Sequence, residues 1–207
     1  MGVSRLQLEN IMVHGLEPVS MVLEGGVCTG LSGASGSGKS LLLRAIADLD
    51  CHQGELVLDD RLSRQYSGPQ WRRLVAYLPA ETAWWYTHVG EHFVNCDEVD
   101  LLNFEKLNFD QTILDAPTEQ LSSGERQRLG LLRLLSQRPR VILLDEPTAS
   151  LDVTNTAALE QLIKAYQIEH KAAILWVSHD PAQIERVATH AYCIRENQVV
   201  KQTEAPS

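Results

Sequence analysis

Along the chain, short apolar runs alternate with segments of helical period. Strand-like runs fall at 6–9, 19–23, 27–31, 56–58, 75–79, 141–145, 173–177, 191–195 and 198–200. The last two flank Glu196-Asn197 and predict a terminal hairpin. Helical spacing follows Gly38 and covers roughly 99–107, 124–137, 153–170 and 181–188, with Asp152 placed as the N-cap of the 153–170 helix. This alternation predicts an α/β sheet fold. Between about Ala80 and Gln120 the strand signals stop and the composition turns helical and aromatic, as expected for a small lobe inserted into the sheet.

Composition narrows the classes. With 207 residues, 44% hydrophobic and 22% charged, the chain has room for one ordinary domain with a sizeable core. Its formal charge of -9 opposes polyanions, so no nucleic-acid partner is expected. The four cysteines, Cys28, Cys51, Cys96 and Cys193, have no C-x-x-C spacing and read as reduced thiols. No run approaches the roughly 20 apolar residues of a membrane span, and the start lacks signal-peptide and myristoylation patterns. A soluble protein is the expectation.

Gly33-Ala34-Ser35-Gly36-Ser37-Gly38-Lys39-Ser40 fits G-x-x-x-x-G-K-[ST], directly after one apolar run and before helical 41–46. Glycines let the backbone wrap with its N–H groups inward, and the helix N-terminus adds partial positive charge. Polyphosphate is the natural occupant. Lys39 would reach the outer phosphates, and the Ser40 hydroxyl is placed to coordinate Mg²⁺. A second run, 141–145, reads as a buried strand ending in Asp145 and Glu146, where a parallel sheet presents its ligand crevice. Strand alternation would send these two acids to opposite sides. Asp145 is assigned to the metal, through a water, and Glu146 to general base.

Such a pair also suits kinases, GTPases and motors, so three further segments decide. Leu121-Ser122-Ser123-Gly124-Glu125-Arg126-Gln127-Arg128 precedes a helix and ends 17 residues before Asp145; Ala149-Ser150-Leu151-Asp152 follows the acidic strand; Trp176-Val177-Ser178-His179-Asp180 closes the next one. With these, nearly the whole chain resembles the ATP-binding subunit of ABC transporters. The resemblance implies a P-loop core with a mainly parallel sheet, an antiparallel N-terminal β subdomain and a helical subdomain at about 80–137, in one domain spanning 1–207. It implies that ATP is held by residues 33–40, Leu41, Ser122, Ser123, Gly124 and Glu125, with Mg²⁺ on Ser40 and Asp145. Catalysis falls to Glu146, Lys39 and His179, the last contacting the γ-phosphate. ATP would be sandwiched between two copies, in a homodimer or pseudo-symmetric dimer, and a multi-span membrane permease would be the partner. The expected place is cytoplasmic, peripheral on the inner face of the membrane. A weaker similarity points to small subunits paired with a metal-export permease. Non-transport ABC ATPases of DNA repair or translation, and a regulatory module with little turnover, are the alternatives.

The match has gaps. Ala80 stands where the family has Gln, with Glu81 beside it as a substitute metal contact, and Val13 and His14 stand where an adenine-stacking aromatic is usual. Leu41 replaces a common Thr, and Ser123 the first glycine of the signature. The aromatics Trp84, Trp85, Tyr86 and Phe93 crowd the lobe entrance. They suit either docking of a short helix from the membrane subunit or the lobe's own core.

Overall fold

The structure is a computed structural model that describes residues 4–93 and 101–202. Cys96 and the first residues of the helix expected from Val99 lie outside the described residues. A four-stranded antiparallel sheet, ordered β2-β1-β4-β5, is formed by β1 (Ser4–Met12), β2 (Val19–Glu24), β4 (Gln53–Leu58) and β5 (Arg61–Leu62). A six-stranded sheet, ordered β10-β9-β3-β8-β7-β6, is formed by β3 (Cys28–Gly33), β6 (Val75–Leu78), β7 (Val141–Asp145), β8 (Ala173–Val177), β9 (His190–Arg195) and β10 (Gln198–Lys201). All pairs in it are parallel except β9 with β10. That last pair is the expected hairpin, turned at Glu196 and Asn197, both with positive φ as a tight hairpin turn requires.

The helices are α1 (Lys39–Ile46), α2 (Gly68–Leu74), α3 (Leu101–Lys106), α4 (Ser123–Leu135), α5 (Val153–His170) and α6 (Pro181–Val187). α2 and β5 were not expected from the sequence. Ser67 and Gln70 cap α2 reciprocally, with Pro69 in its first turn, but Trp71, whose indole N–H donates to the Ile46 carbonyl at 2.9 Å, is the one residue it buries, so its hydrophobic period is weak. The lobe between β6 and α4 is less helical than its composition predicts. Among the described residues it holds short 3-10 turns at Val89–His92, Gln111–Asp115 and Thr118–Gln120 besides α3. Gly90, Pro117 and an Asp110 side chain that accepts from the Thr112 N–H favour single turns over a continuous helix.

Both faces of the parallel sheet are covered, which is why β7 and β8 are buried at every position. Alternate residues serve different cores. Leu31, Val141, Leu143, Leu175 and Val177 face α1 and the antiparallel sheet, while Ile142, Leu144, Ile174 and Trp176 face α4, α5 and α6. The lobe is fastened to the sheet by polar links: Gln127 Nε2 donates to the Pro79 carbonyl at 3.0 Å, and Thr82 Oγ1 to that of Arg126 at 3.0 Å.

α4 starts on a capping box. The Glu125 N–H donates to Ser122 Oγ at 3.2 Å, and Glu125 Oε2 accepts from the Ser122 N–H at 2.8 Å and from its hydroxyl at 2.7 Å. These bonds, led by that of the Ser122 hydroxyl, hold the Glu125 carboxyl below the ordinary value of 4.5. A lowered folded pKa stabilises above the ordinary value and loses that contribution as pH falls through the folded one. Glu125→Gln should therefore destabilise by roughly 1 kcal/mol at about pH 7 and progressively less toward about pH 3. Urea midpoints across pH check this; a constant gap would contradict it.

Gly54, at φ +95, lies against the irregular step of the β1–β4 pairing, where a Cβ would overlap the carbonyl oxygens of Glu9 and Asn10. Gly15, at φ +81, has open space around it. Gly15→Ala should cost roughly 1 kcal/mol from backbone conformation alone, and Gly54→Ala at least about twice that, because backbone atoms must move. Equal denaturation midpoints for the two variants would show that the overlap is relieved without strain.

Candidate functional site

The site forms where β3, β7 and β8 end. β3 runs into Gly33, and the loop 34–38 leads to α1 through Gly38, whose left-handed φ of 97 fits glycine. No side chain caps α1, so its first N–H groups point toward the loop. Leu16, in the turn after β1, packs over Gly38, where a Cβ would meet it at 3.1 Å. Lys39 is buried, and its ammonium donates to the carbonyls of Gly33 at 2.8 Å and Ala34 at 2.9 Å. Burial pulls its pKa below the ordinary lysine value, while Glu146 and Asp145 act in the opposite direction. The Ser37 hydroxyl is buried without a hydrogen-bond partner. An orphan hydroxyl in a loop of wrapped backbone, whose Gly33 and Ala34 carbonyls hold an ammonium, fits a phosphate chain.

Asp145, 4% exposed, is the last residue of β7. Its Oδ2 accepts from the Tyr77 hydroxyl at 2.9 Å. Burial, and then the Asp145 charge, push the Tyr77 pKa upward, which keeps it a donor. Glu146 departs from the strand in a left-handed conformation, φ 49, with its N–H bonded to the Val177 carbonyl at 3.2 Å. Strand alternation therefore does not govern the two acids, contrary to the expectation that they point to opposite sides. Both line one cavity of about 210 Å³, together with Ser35, Lys39, Ser40 and His179. Glu146 Oε1 lies 3.0 Å from His179 Nε2. Burial raises the Glu146 pKa, opposed first by His179 and then by Lys39. Ser40 and Asp145 offer the oxygen donors that suit a hard divalent cation.

Ser122, Ser123, Gly124 and Glu125 are not among the residues lining this cavity. They sit at the start of α4, where Ser122 and Ser123 are exposed. The close approach here is at Gly124, where a Cβ would lie 3.1 Å from the Ser150 carbonyl oxygen and 3.2 Å from Leu151. Leu41 is 41% exposed and borders the cavity. Ala80, Glu81 and His14 are exposed, and none of them lines the cavity.

Sequence reasoning missed Tyr77, whose cue is one polar-tipped aromatic in an otherwise apolar strand. It also missed Gln183, buried on α6, which donates to Thr148 Oγ1 at 2.9 Å and Glu160 Oε1 at 2.8 Å and so anchors the turn after Glu146. The aromatic cluster divides between its two expected uses. Phe93 is core, its ring tilted against that of Phe104, whereas Trp85 and Tyr86 are 65% and 49% exposed. His92 holds them outward by accepting from both their N–H groups at 3.1 Å. Arg133 stacks on Trp84 and Trp85 beside a groove of about 240 Å³, between lobe and sheet, which Arg72, Tyr77 and Pro79 also line.

Comparisons with known proteins agree with one another. A model of the ABC transporter family matches residues 16–149. The phosphate import ATP-binding protein PstB of Aeropyrum pernix is 30% identical over 91% of this chain and 83% of its own length. The vitamin B12 import ATP-binding protein BtuD of Photorhabdus laumondii is 33% identical over 80% of this chain and 71% of its own. Of the molybdenum import ATP-binding protein ModC from Methylococcus capsulatus, 31% identical, the chain spans 54%. Among solved structures, a dimeric, post-hydrolysis ATP-binding cassette bound to ADP and Pi superposes over 98% of this chain and 100% of that one, with TM-score 0.81 at 20% identity. With the expected α/β architecture in place and the family match covering most of its length, the chain belongs to the ABC transporter family, as an ATP-binding subunit.

Proposed function

We propose that the chain binds Mg²⁺-ATP and hydrolyses it to energise transport through a separate membrane permease. The observation that carries this reading is the single cavity that gathers the phosphate loop, Asp145, Glu146 and His179. The loop N–H groups, the α1 N-terminus and Lys39 hold the phosphates, with Lys39 exchanging its loop carbonyls for phosphate oxygens. Ser40 and Asp145 hold Mg²⁺, which neutralises charge on the phosphate oxygens. Among the described residues no cluster of three His, Cys, Asp or Glu side chains offers a closed metal cage, which suits a cation shared with phosphate and water.

Glu146 accepts the proton of the attacking water. Burial favours its protonated form, so the carboxylate is a stronger base than one in water. His179, whose Nε2 lies 3.0 Å from Glu146 Oε1, is read as the residue that contacts the γ-phosphate and organises the attacking water. Because residues 122–125 of the same chain stay outside the cavity, a second copy supplies them, giving an ATP-bound dimer of two composite sites. The dimeric state named for the superposable cassette supports that assembly. We read 1–207 as one ABC-type domain with a helical lobe at about 80–137.

The permease docks on the groove between lobe and sheet, where exposed Trp85 provides an anchor, with exposed Tyr86 next to it in sequence, and Arg72 and Arg133 provide charge. No helix among the described residues is long and apolar enough to cross a membrane, which fits a subunit bound peripherally on the cytoplasmic face. Import is the direction named for the relatives PstB, BtuD and ModC.

Glu146→Gln should retain ATP binding, accumulate dimer and lower turnover by roughly 10²- to 10⁴-fold. Lys39→Ala should weaken nucleotide binding itself. Turnover, dye-labelled nucleotide titration and light scattering read the three effects. Wild-type turnover no higher than that of Glu146→Gln, with the permease present, would refute the enzyme reading.

A further inference from the structure

We propose that Tyr77 is a positioning residue for the cation carboxylate, fixing Asp145 so that one of its oxygens is presented to the metal-bound nucleotide. This rests on the reading of Asp145 as the residue that holds Mg²⁺. Asp145 is a carboxylate 4% exposed, and a buried carboxylate with a free torsion would sample orientations that do not face the cavity. The Tyr77 hydroxyl, 2.9 Å from Oδ2, removes that freedom and commits one oxygen. The other remains for the cavity that Asp145 lines.

The backbone makes the contact rigid. β6 and β7 pair in parallel with Tyr77 opposite Leu143, so Asp145 lies two residues further along the neighbouring strand, on the same face. The tyrosine ring spans that offset. Its own position is fixed by its strand and by packing against the buried core that includes Leu143 and the apolar residues of α1. Arg44 and Asp50, joined by bonds of 2.6 and 2.7 Å, supply charge near the ring without taking its hydroxyl. Ala80, three residues beyond Tyr77, has no polar side chain and is exposed, so it gives Asp145 no such support.

The test is the gain in ATP affinity that Mg²⁺ confers on the full chain. Fluorescent ATP is titrated in excess EDTA and again in excess Mg²⁺, and the ratio of the two affinities is taken. Tyr77→Phe, which removes one oxygen and keeps the ring, should leave the EDTA affinity unchanged and reduce the ratio by roughly ten-fold. Tyr77→His, which keeps a ring donor, should retain more of the ratio and serves if Tyr77→Phe folds poorly. Asp145→Asn separates the two readings. If it abolishes the ratio while Tyr77→Phe matches wild type, Tyr77 does not position Asp145 and the proposal falls. If Asp145→Asn itself keeps the ratio, Asp145 does not hold the cation, and both readings fall. Equal losses in EDTA and Mg²⁺ for Tyr77→Phe would mark a merely structural role and also overturn the proposal.

Discussion

One row of parallel pairing sets everything else. Val177 on the central strand β8 lies opposite Leu31 of β3 on one side and Asp145 of β7 on the other, so β7 and β8 finish level with one another and β3 runs only two residues past them, to Gly33. The segment leaving each strand is then delivered to the same edge: the glycine loop after Gly33, Glu146 after Asp145, and His179 shortly after Val177. A slip of one residue in either pairing would turn Leu143 and Leu175 away from α1, which buried cores resist strongly. Glu146 is held off the strand by its bond to Val177 and by His179, and these contacts offset the roughly 1–2 kcal/mol that a left-handed conformation costs a residue with a Cβ.

Electrostatics reinforces that frame. The chain is acidic overall, yet two of its cations are buried, Lys39 in the loop and Arg128 on α4. Lys39 is stabilised by two carbonyls and by the field of Asp145 and Glu146. Arg128 is held by the Leu107 and Gly124 carbonyls and by the face of the Phe109 ring. The first arrangement keeps the glycine loop open in the shape a phosphate chain requires, with the ammonium ready to exchange partners. The second ties the segment after α3 to α4.

How much of this was legible beforehand depends on the range of the forces involved. The loop 33–40, the apolar strand 141–145 and the hairpin at Glu196-Asn197 are written in adjacent residues, because glycine conformation, continuous burial and turn geometry are local. So was the helix starting after Asp152, whose carboxylate accepts from the Asn155 N–H. The features that escaped are non-local or compensated. The Tyr77–Asp145 bond joins residues 68 apart, and Gln183 reaches Thr148 across 35. The aromatic segment carried no mark to tell Phe93, which packs inward, from Trp85, because His92 decides the direction of the loop. The fate of Glu146 was hidden because strand periodicity ends at Asp145, and only the contacts with Val177 and His179 say where the chain goes next.

The close approach of Gly124 to the Ser150 carbonyl brings two distant stretches of sequence together without room for a Cβ. Ser150 lies four residues past Glu146 on a turn anchored by Gln183, and Gly124 opens the helix that carries the lobe. A side chain at position 124 would therefore have to displace either the start of α4 or the turn that follows Glu146, so the spacing between these two segments is set by the absence of a single carbon.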